Sequence, residues 1–264
     1  MRFLVIAKTY PTPQRDLAKL ETVCTGAIGE DGKIYRLYPI SFRLLGIEST
    51  FSKFEWIEAD VQKNDKDARP ESYIPERSSL KALRQKVEDP VQRIKFLLPY
   101  LVPTLNDLKV LGTDARTLAV CRMLEPKWTW VENPMHGKHV DLQKFHAGSL
   151  FMTEDIEIMQ QLYIPRRHLQ VSWKDERDNK HKHRLLEWEY YTLLSKLLRE
   201  RHSEGEAEDM VLQQAMSQRF RTDGYELWGL FGTTLKDHVW ILGSLFNFKI
   251  RDIQLAKQPD LFAP

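Results

Sequence analysis

Residues 21–40 read ETVCTGAIGEDGKIYRLYPI. ETVCTGAI (21–28) and KIYRLY (33–38) are short runs of β-branched, apolar and aromatic residues. Between them Gly29-Glu30-Asp31-Gly32 carries the Asp-Gly pair of a tight hairpin. Pro39 stops the second run, since proline cannot donate to a strand ladder. The N-terminal part is therefore sheet. Upstream, residues 2–8 set Leu4 and Ile6 against Phe3, Val5 and Ala7 with little polarity, as in a strand buried on both faces. A plain period of two puts Leu4, Ile6, Lys8 and Tyr10 on one side. Downstream, residues 54–62 form a fourth strand with Phe54, Trp56, Glu58 and Asp60 on one face.

Past a charged, proline-containing loop (63–77) the period changes. SSLKALRQKV (78–87) reads as a serine-capped helix. Asp89-Pro90 opens another, with Val91, Ile94, Leu97, Leu98 and Leu101 on one stripe. Residues 40–46 and 104–110 allow short helical pieces, and 116–124 return to strand. Residues 127–150 read as irregular. Residues 163–173 form a strand, and a polar turn leads into a long helix over 183–201. A second helix runs to about 221. GYELWGLFGTT (224–234) and HVWILGSLFNF (238–248) make an apolar hairpin, with Gly229, Gly232 and Gly243 where something approaches closely. A polar tail closes the chain. The order gives an α+β fold: a mixed or antiparallel sheet, open or closed as a barrel, built from the N-terminal strands and the C-terminal hairpin, with helices outside. One domain over 1–264 is expected, with 150 as the place for any subdivision.

The chain has 264 residues, 42% hydrophobic and 29% charged, and a net charge of +2. That balance suits a packed core and leaves a nucleic-acid partner open. Cys24 and Cys121 lie in apolar runs and read as buried thiols rather than a disulfide. No apolar run reaches the ~18 residues of a membrane span, and MRFLVIAKTYP turns polar too soon for a signal peptide. A cytoplasmic protein is expected.

Candidate chemistry gathers at strand ends. Arg69-Pro70-Glu71-Ser72-Tyr73 offers a guanidinium fork, a carboxylate and an aromatic in one loop. Lys8 with Tyr10 and Arg36 with Tyr38 are each a cation and an aromatic two apart. If the sheet brings these ends together, Lys8, Glu21, Arg36 and Glu71 line one polar cavity. Catalytic candidates are Glu71, Asp60, Lys8 and Glu21; binding candidates are Arg36, Tyr10, Tyr38, Trp56, Arg69 and Tyr73. The plain alternatives are solvated strand-end charges and cross-strand pairs. Segment 166–184 adds Arg166, Arg167, Lys180 and Lys182 as phosphate contacts, or as a solvated basic loop. His181 and His183, and His136, His139 and His146, lack a metal-ligand spacing, so no metal and no cofactor is expected. Walker, GxGxxG, GxSxG, CxxC and HExxH motifs are absent.

KTYP (8–11), ETVC (21–24), WIEAD (56–60), RPESY (69–73), LEWEYY (186–191) and the Gly-rich hairpin together resemble a group of uncharacterised bacterial proteins. The resemblance covers most of the chain and brings no activity with it. In the group it resembles, cysteines and a histidine often stand just before the long helix, a place for zinc if those proteins bind it. Here that place, 175–183, has no cysteine, and zinc is not expected.

The residue types fit a metal-independent enzyme on DNA, a hydrolase that removes a modified base by N-glycosidic cleavage, with defence against foreign DNA as a setting. Two other readings stay open: a non-catalytic binder of nucleic acid or a modified nucleotide, and a small-molecule hydrolase.

Overall fold

The computed structural model describes residues 1–10, 22–42, 45–112, 114–134, 165–200, 202–214 and 223–259. Its architecture is α+β, in three sheets. The first joins β1 (Arg2–Lys8), β2 (Val23–Gly29), β3 (Ile34–Ile40), β4 (Glu55–Glu58), β5 (Val61–Lys63), β6 (Ser72–Pro75) and β7 (Lys81–Lys86) in the order β5-β6-β3-β2-β1-β4-β7. Only the β3–β6 pair is parallel. The second runs β14-β13-β9-β8, from β8 (Leu101–Val102), β9 (Leu118–Arg122), β13 (Tyr225–Thr233) and β14 (Trp240–Lys249). The third is β10 (Leu124–Glu132), β11 (Arg167–Lys174) and β12 (Lys180–Arg184). The helices are α1 (Pro90–Leu97), α2 (Trp188–Arg199), α3 (Glu204–Gln214) and α4 (Ile250–Lys257).

The two β-rich ends meet, but face to face; none of the sheets closes as a barrel. Leu4, Ile6, Ile28 and Ile34 of the first sheet pack on Val120, Trp228, Leu230 and Phe246 of the second. Helices α1 and α4 close that layer through Ile94, Leu97, Ile253 and Ala256. The opposite face of the first sheet buries Phe3, Val5, Val23, Leu37 and Ile57. Beyond the second sheet, Ala119, Phe231 and Leu242 meet Val171 and Trp173 of β11 and Leu194 and Leu197 of α2. Burying such side chains contributes roughly 1.5–3 kcal/mol each.

Several expectations need correction. Residues 78–87 are a 3-10 turn (Arg77–Ser79) followed by β7, because Lys81–Lys86 pairs with β4 at the sheet edge; Leu80 and Ala82, two apart and packed on one core, fit the strand period and not the helical one. Residues 124–132, read as largely irregular, are strand β10, paired with β11 along nearly its whole length. The long helix starts at Trp188, and 180–184 belong to β12. The polar tail begins as α4, whose Ile253 and Ala256 are buried three residues apart. Asp89 caps α1 as its sequence implies, its side chain accepting from Val91 N at 3.0 Å, with Pro90 in the first turn. No helix among the described residues is long and apolar enough to cross a membrane.

One irregularity decides where Lys8 goes. The β1–β2 register slips between Val5 and Ala7. Ile6 and Ala7 therefore both join the Leu4 side. Every later residue is inverted relative to plain alternation. Lys8 emerges on the Phe3 and Val5 side, beside Phe42 and Phe51, away from Ile6.

Candidate functional site

The inversion leaves Ala7 and Thr9 facing a cavity of about 710 Å³ between the first sheet and the β13–β14 hairpin. Cys24, Gly26, Arg36 and Tyr38 form its sheet wall, and Leu230, Thr233, Leu235 and Ile241 the hairpin wall. Asn64, Lys66, Asp67 and Arg69 close one end. Two glycines permit this approach: a Cβ on Gly26 would stand 3.0 Å from Leu230, and one on Gly232 3.3 Å from Arg36 Nη2.

The charged end is built by local turns. Asp67 Oδ1 accepts from Arg69 N at 3.1 Å, an Asx turn that folds Arg69 back onto the same carboxylate. Arg69 Nε and Nη2 reach Asp67 at 2.8 and 2.6 Å, and its Nη1 donates to Thr233 O on the hairpin. Lys63 Nζ donates to the carbonyls of Arg69, Pro70 and Ser72 at 2.7, 2.9 and 3.1 Å, fixing the loop. Burial alone would raise the Asp67 carboxyl, but bonds from Arg69 and Ser72 hold it down to about 2. Arg36 Nη1 donates to Ser72 Oγ and Thr117 Oγ1, and Nη2 to Thr117 O. Burial pushes the Cys24 thiol up, with the Arg36 guanidinium opposing it. Lys66 is exposed at the rim. The wall is mostly apolar, with Arg36, Arg69 and Lys66 against Asp67.

Arg36, Tyr38 and Arg69 line the cavity; of Lys8, Arg36 and Glu71, expected together in one cavity with Glu21, only Arg36 lines it among the described residues. Arg36 N donates to Glu71 O at 2.7 Å, while the Glu71 carboxylate is joined to the Arg36 guanidinium through Thr117: it accepts from Thr117 N at 2.8 Å and Oγ1 at 2.6 Å, tying β6 to the start of β9. Tyr73 lies on the opposite sheet face, edge-on to Tyr35 and under Lys63. Asp60 and Glu58 are exposed. Trp56 packs on Phe96 beneath Arg2. Lys8 donates to Phe51 O at 3.1 Å and lies 3.5 Å from Glu189 Oε1; burial lowers its pKa, with Glu189 opposing. Tyr10 packs on Trp188 and Tyr191. Glu21, His136, His139 and His146 lie outside the described residues.

The basic segment is the β11–β12 hairpin, and much of its charge is paired. Arg166 faces Glu132 and Glu204 at 3.7 and 3.8 Å, Arg167 binds Glu208, and Arg177 binds Asp107 at 2.7 Å. Lys180 and Lys182 stand exposed on β12. His181 is held by Asp175 at 2.8 Å, and His183 Nδ1 accepts from Trp173 Nε1 at 3.0 Å. Among the described residues no group of three or more His, Cys, Asp or Glu side chains could hold a metal ion.

Sequence reasoning missed Thr117, Asp67, Cys24 and Thr233. It also missed Lys53, which donates to Glu187, to Ser244 Oγ and to Leu245 O, the last two at 2.9 Å. A signal existed for Glu187 and Glu189, which belong to LEWEYY, and for Lys8, which belongs to KTYP. The two motifs pair in space: Thr9 bridges Glu187, and Tyr10 N donates to Leu186 O. Thr117 carries no sequence signal.

Residues 1–98 match a family described as a domain of unknown function, DUF8758. The match takes in KTYP, ETVC, WIEAD and RPESY; LEWEYY and the hairpin lie beyond it. No curated protein and no solved structure matches the chain.

Proposed function

We propose that the 710 Å³ cavity binds a small organic anion with a largely apolar body, of about nucleotide size or less. The observation that carries this reading is the pair of nearly buried guanidiniums, Arg36 at 3% and Arg69 at 8% exposure, in a mostly apolar wall where the one carboxylate among the described lining residues is Asp67. Among the described residues, their bonds, Arg36 to Ser72, Thr117 and Cys24 and Arg69 to Asp67 and Thr233, do not use all the N–H groups of either fork. A buried guanidinium with donors to spare matches a carboxylate or phosphate. The volume falls in the range of ligand pockets.

DNA base excision has weaker support. An extruded base needs stacking partners and a carboxylate within reach. Tyr38 is the aromatic residue of the described wall, Glu71 is engaged by Thr117, and Asp60 is exposed. The geometry favours holding a ligand over cleaving one.

The test is thermal denaturation with adenosine monophosphate, octanoate and benzoate, each against its uncharged counterpart. At least one anion should stabilise the protein, by about 2.7 kcal/mol at a hundredfold excess over Kd. Gly243→Leu, where a Cβ meets only ordinary contacts at 3.7 and 3.8 Å, should fill the cavity and abolish the effect. Equal shifts from charged and uncharged partners, or an undiminished shift in Gly243→Leu, would refute the reading. A gel shift with plain and base-modified DNA, scored for abasic sites, tests the excision reading in parallel.

A further inference from the structure

A second, smaller hollow of about 400 Å³ lies where the first sheet, α1, α2 and β14 meet. Its wall holds the cations Lys86 and Arg93, the carboxylate Glu189, and Phe54, Phe246 and Phe248. We propose that this cleft takes a small zwitterion, with a carboxylate and a protonated amine on an apolar or aromatic body.

The carboxylate end is already rehearsed within the chain. Arg93 Nη2 lies 3.2 Å from Glu88 Oε2, and Lys86 Nζ 3.8 Å from Glu88 Oε1. The Glu88 side chain is 73% exposed, so these pairs are weak and readily exchanged for a ligand carboxylate. Lys53 adds positive field, but its ammonium is taken up by Glu187, Ser244 and Leu245. At the amine end, Glu189 lines the cleft with its side chain 29% exposed, and its Oε1 lies 3.5 Å from Lys8 Nζ. A partly exposed carboxylate in a cleft wall can take a ligand ammonium beside the Lys8 ammonium it already faces. Phe54 and Phe246, 5.7 Å apart, and Phe248 provide the apolar surface.

The cleft is also backed by strained backbone. Phe54 has φ of 63°, the left-handed region that a bulky L-residue avoids. It is held there by bonds from its N–H to Val5 O at 2.6 Å and from Val87 N to its carbonyl at 2.8 Å. Strain of this kind persists where surrounding structure over-determines it, and it gathers at ligand sites. Here it carries the Phe54 ring to the cleft, under the Arg93 guanidinium at 4.7 Å.

Isothermal titration of the full chain with phenylalanine, phenylpropionate and phenylethylamine tests the proposal. Phenylalanine should bind at least about tenfold more tightly than either single-charge analogue. Glu88→Ala should tighten phenylalanine binding, because it removes the competing internal carboxylate. Glu189→Gln, with folding checked by circular dichroism, should bring phenylalanine down to the level of phenylpropionate. Gly243→Leu, in the larger cavity, should leave all three unchanged, so the two sites fail or succeed separately. Phenylpropionate binding as tightly as phenylalanine, or no binding of phenylalanine to either wild type or Glu88→Ala, would overturn the assignment.

Discussion

Lys8 Nζ, on the first strand, lies 3.5 Å from Glu189 Oε1, in the first turn of α2. Those residues are far apart in sequence, and the contact pins α2 to the sheet. Lys8→Ala should destabilise the protein by about 3 kcal/mol, since it leaves Phe51 O and Glu189 without a buried donor. Lys8→Met, which keeps the stem, should lose less. Burial lowers the Lys8 pKa below 10.5. Between that lowered value and 10.5 the unfolded chain keeps a proton that the folded one has shed. Its contribution to stability therefore rises with pH in that window. Urea denaturation in mildly alkaline buffers should show this slope in wild type and lose it in Lys8→Met.

Glu71 and Asp60 should part company on substitution. Glu71→Ala removes the acceptor of Thr117 N and Oγ1 beside buried Arg36 and should cost about 3 kcal/mol. Asp60→Ala, at an exposed carboxylate, should stay within about 0.5 kcal/mol. Paired chemical denaturation curves check both.

Acid should weaken the third sheet. His168 is 8% exposed, and its Nε2 accepts from Arg184 Nη1 at 2.9 Å, so the ring is neutral. Burial, with Arg184 beside it, depresses its pKa from 6.5 to about 3. As pH falls from 6.5 towards 3 the unfolded chain takes up a proton that the folded chain refuses, and stability falls. At pH 5 the loss from His168 is about 2 kcal/mol. His183, depressed to about 4 by burial and by His181, acts in the same direction. His168→Gln should flatten the Tm profile between pH 4 and 6.5, within the range set by those values.

Gly229→Ala tests the hairpin packing. A Cβ there would stand 2.6 Å from Phe231, 2.8 Å from Leu242 and 2.9 Å from Met123. Overpacking of this degree typically costs about 1–3 kcal/mol, and the Tm should drop accordingly. Gly243→Ala, with only ordinary contacts, should be near neutral.

What the sequence could reveal divides along physical lines. The β2–β3 hairpin, the capped α1 and the Gly-rich hairpin were readable because turn chemistry, a cap and close approach each leave a residue type behind. Arg36, Tyr38 and Arg69 were readable for the same reason, as polar groups at the ends of apolar runs. Residues 81–86 were not, since KALRQK is an edge strand built of good helix formers and mimics an exposed helix. Lys8 was misplaced because the slip after Val5 depends on how β1 meets β2, a property of two strands together. Thr117 was invisible because its work is to accept and donate to partners from distant segments.

The family match ends at residue 98, yet Leu4, Ile6, Ile28 and Ile34 inside it are covered by Val120, Trp228, Leu230 and Phe246 outside it. The larger cavity has one wall on each side of that line. The matched segment is therefore a half-shell rather than a self-sufficient body. Cut free of the rest, it would present a bare oily sheet to water and self-associate. In this chain the second shell is supplied by residues past 98, and the chemistry of the hollow between them is set as much by that companion as by the segment itself.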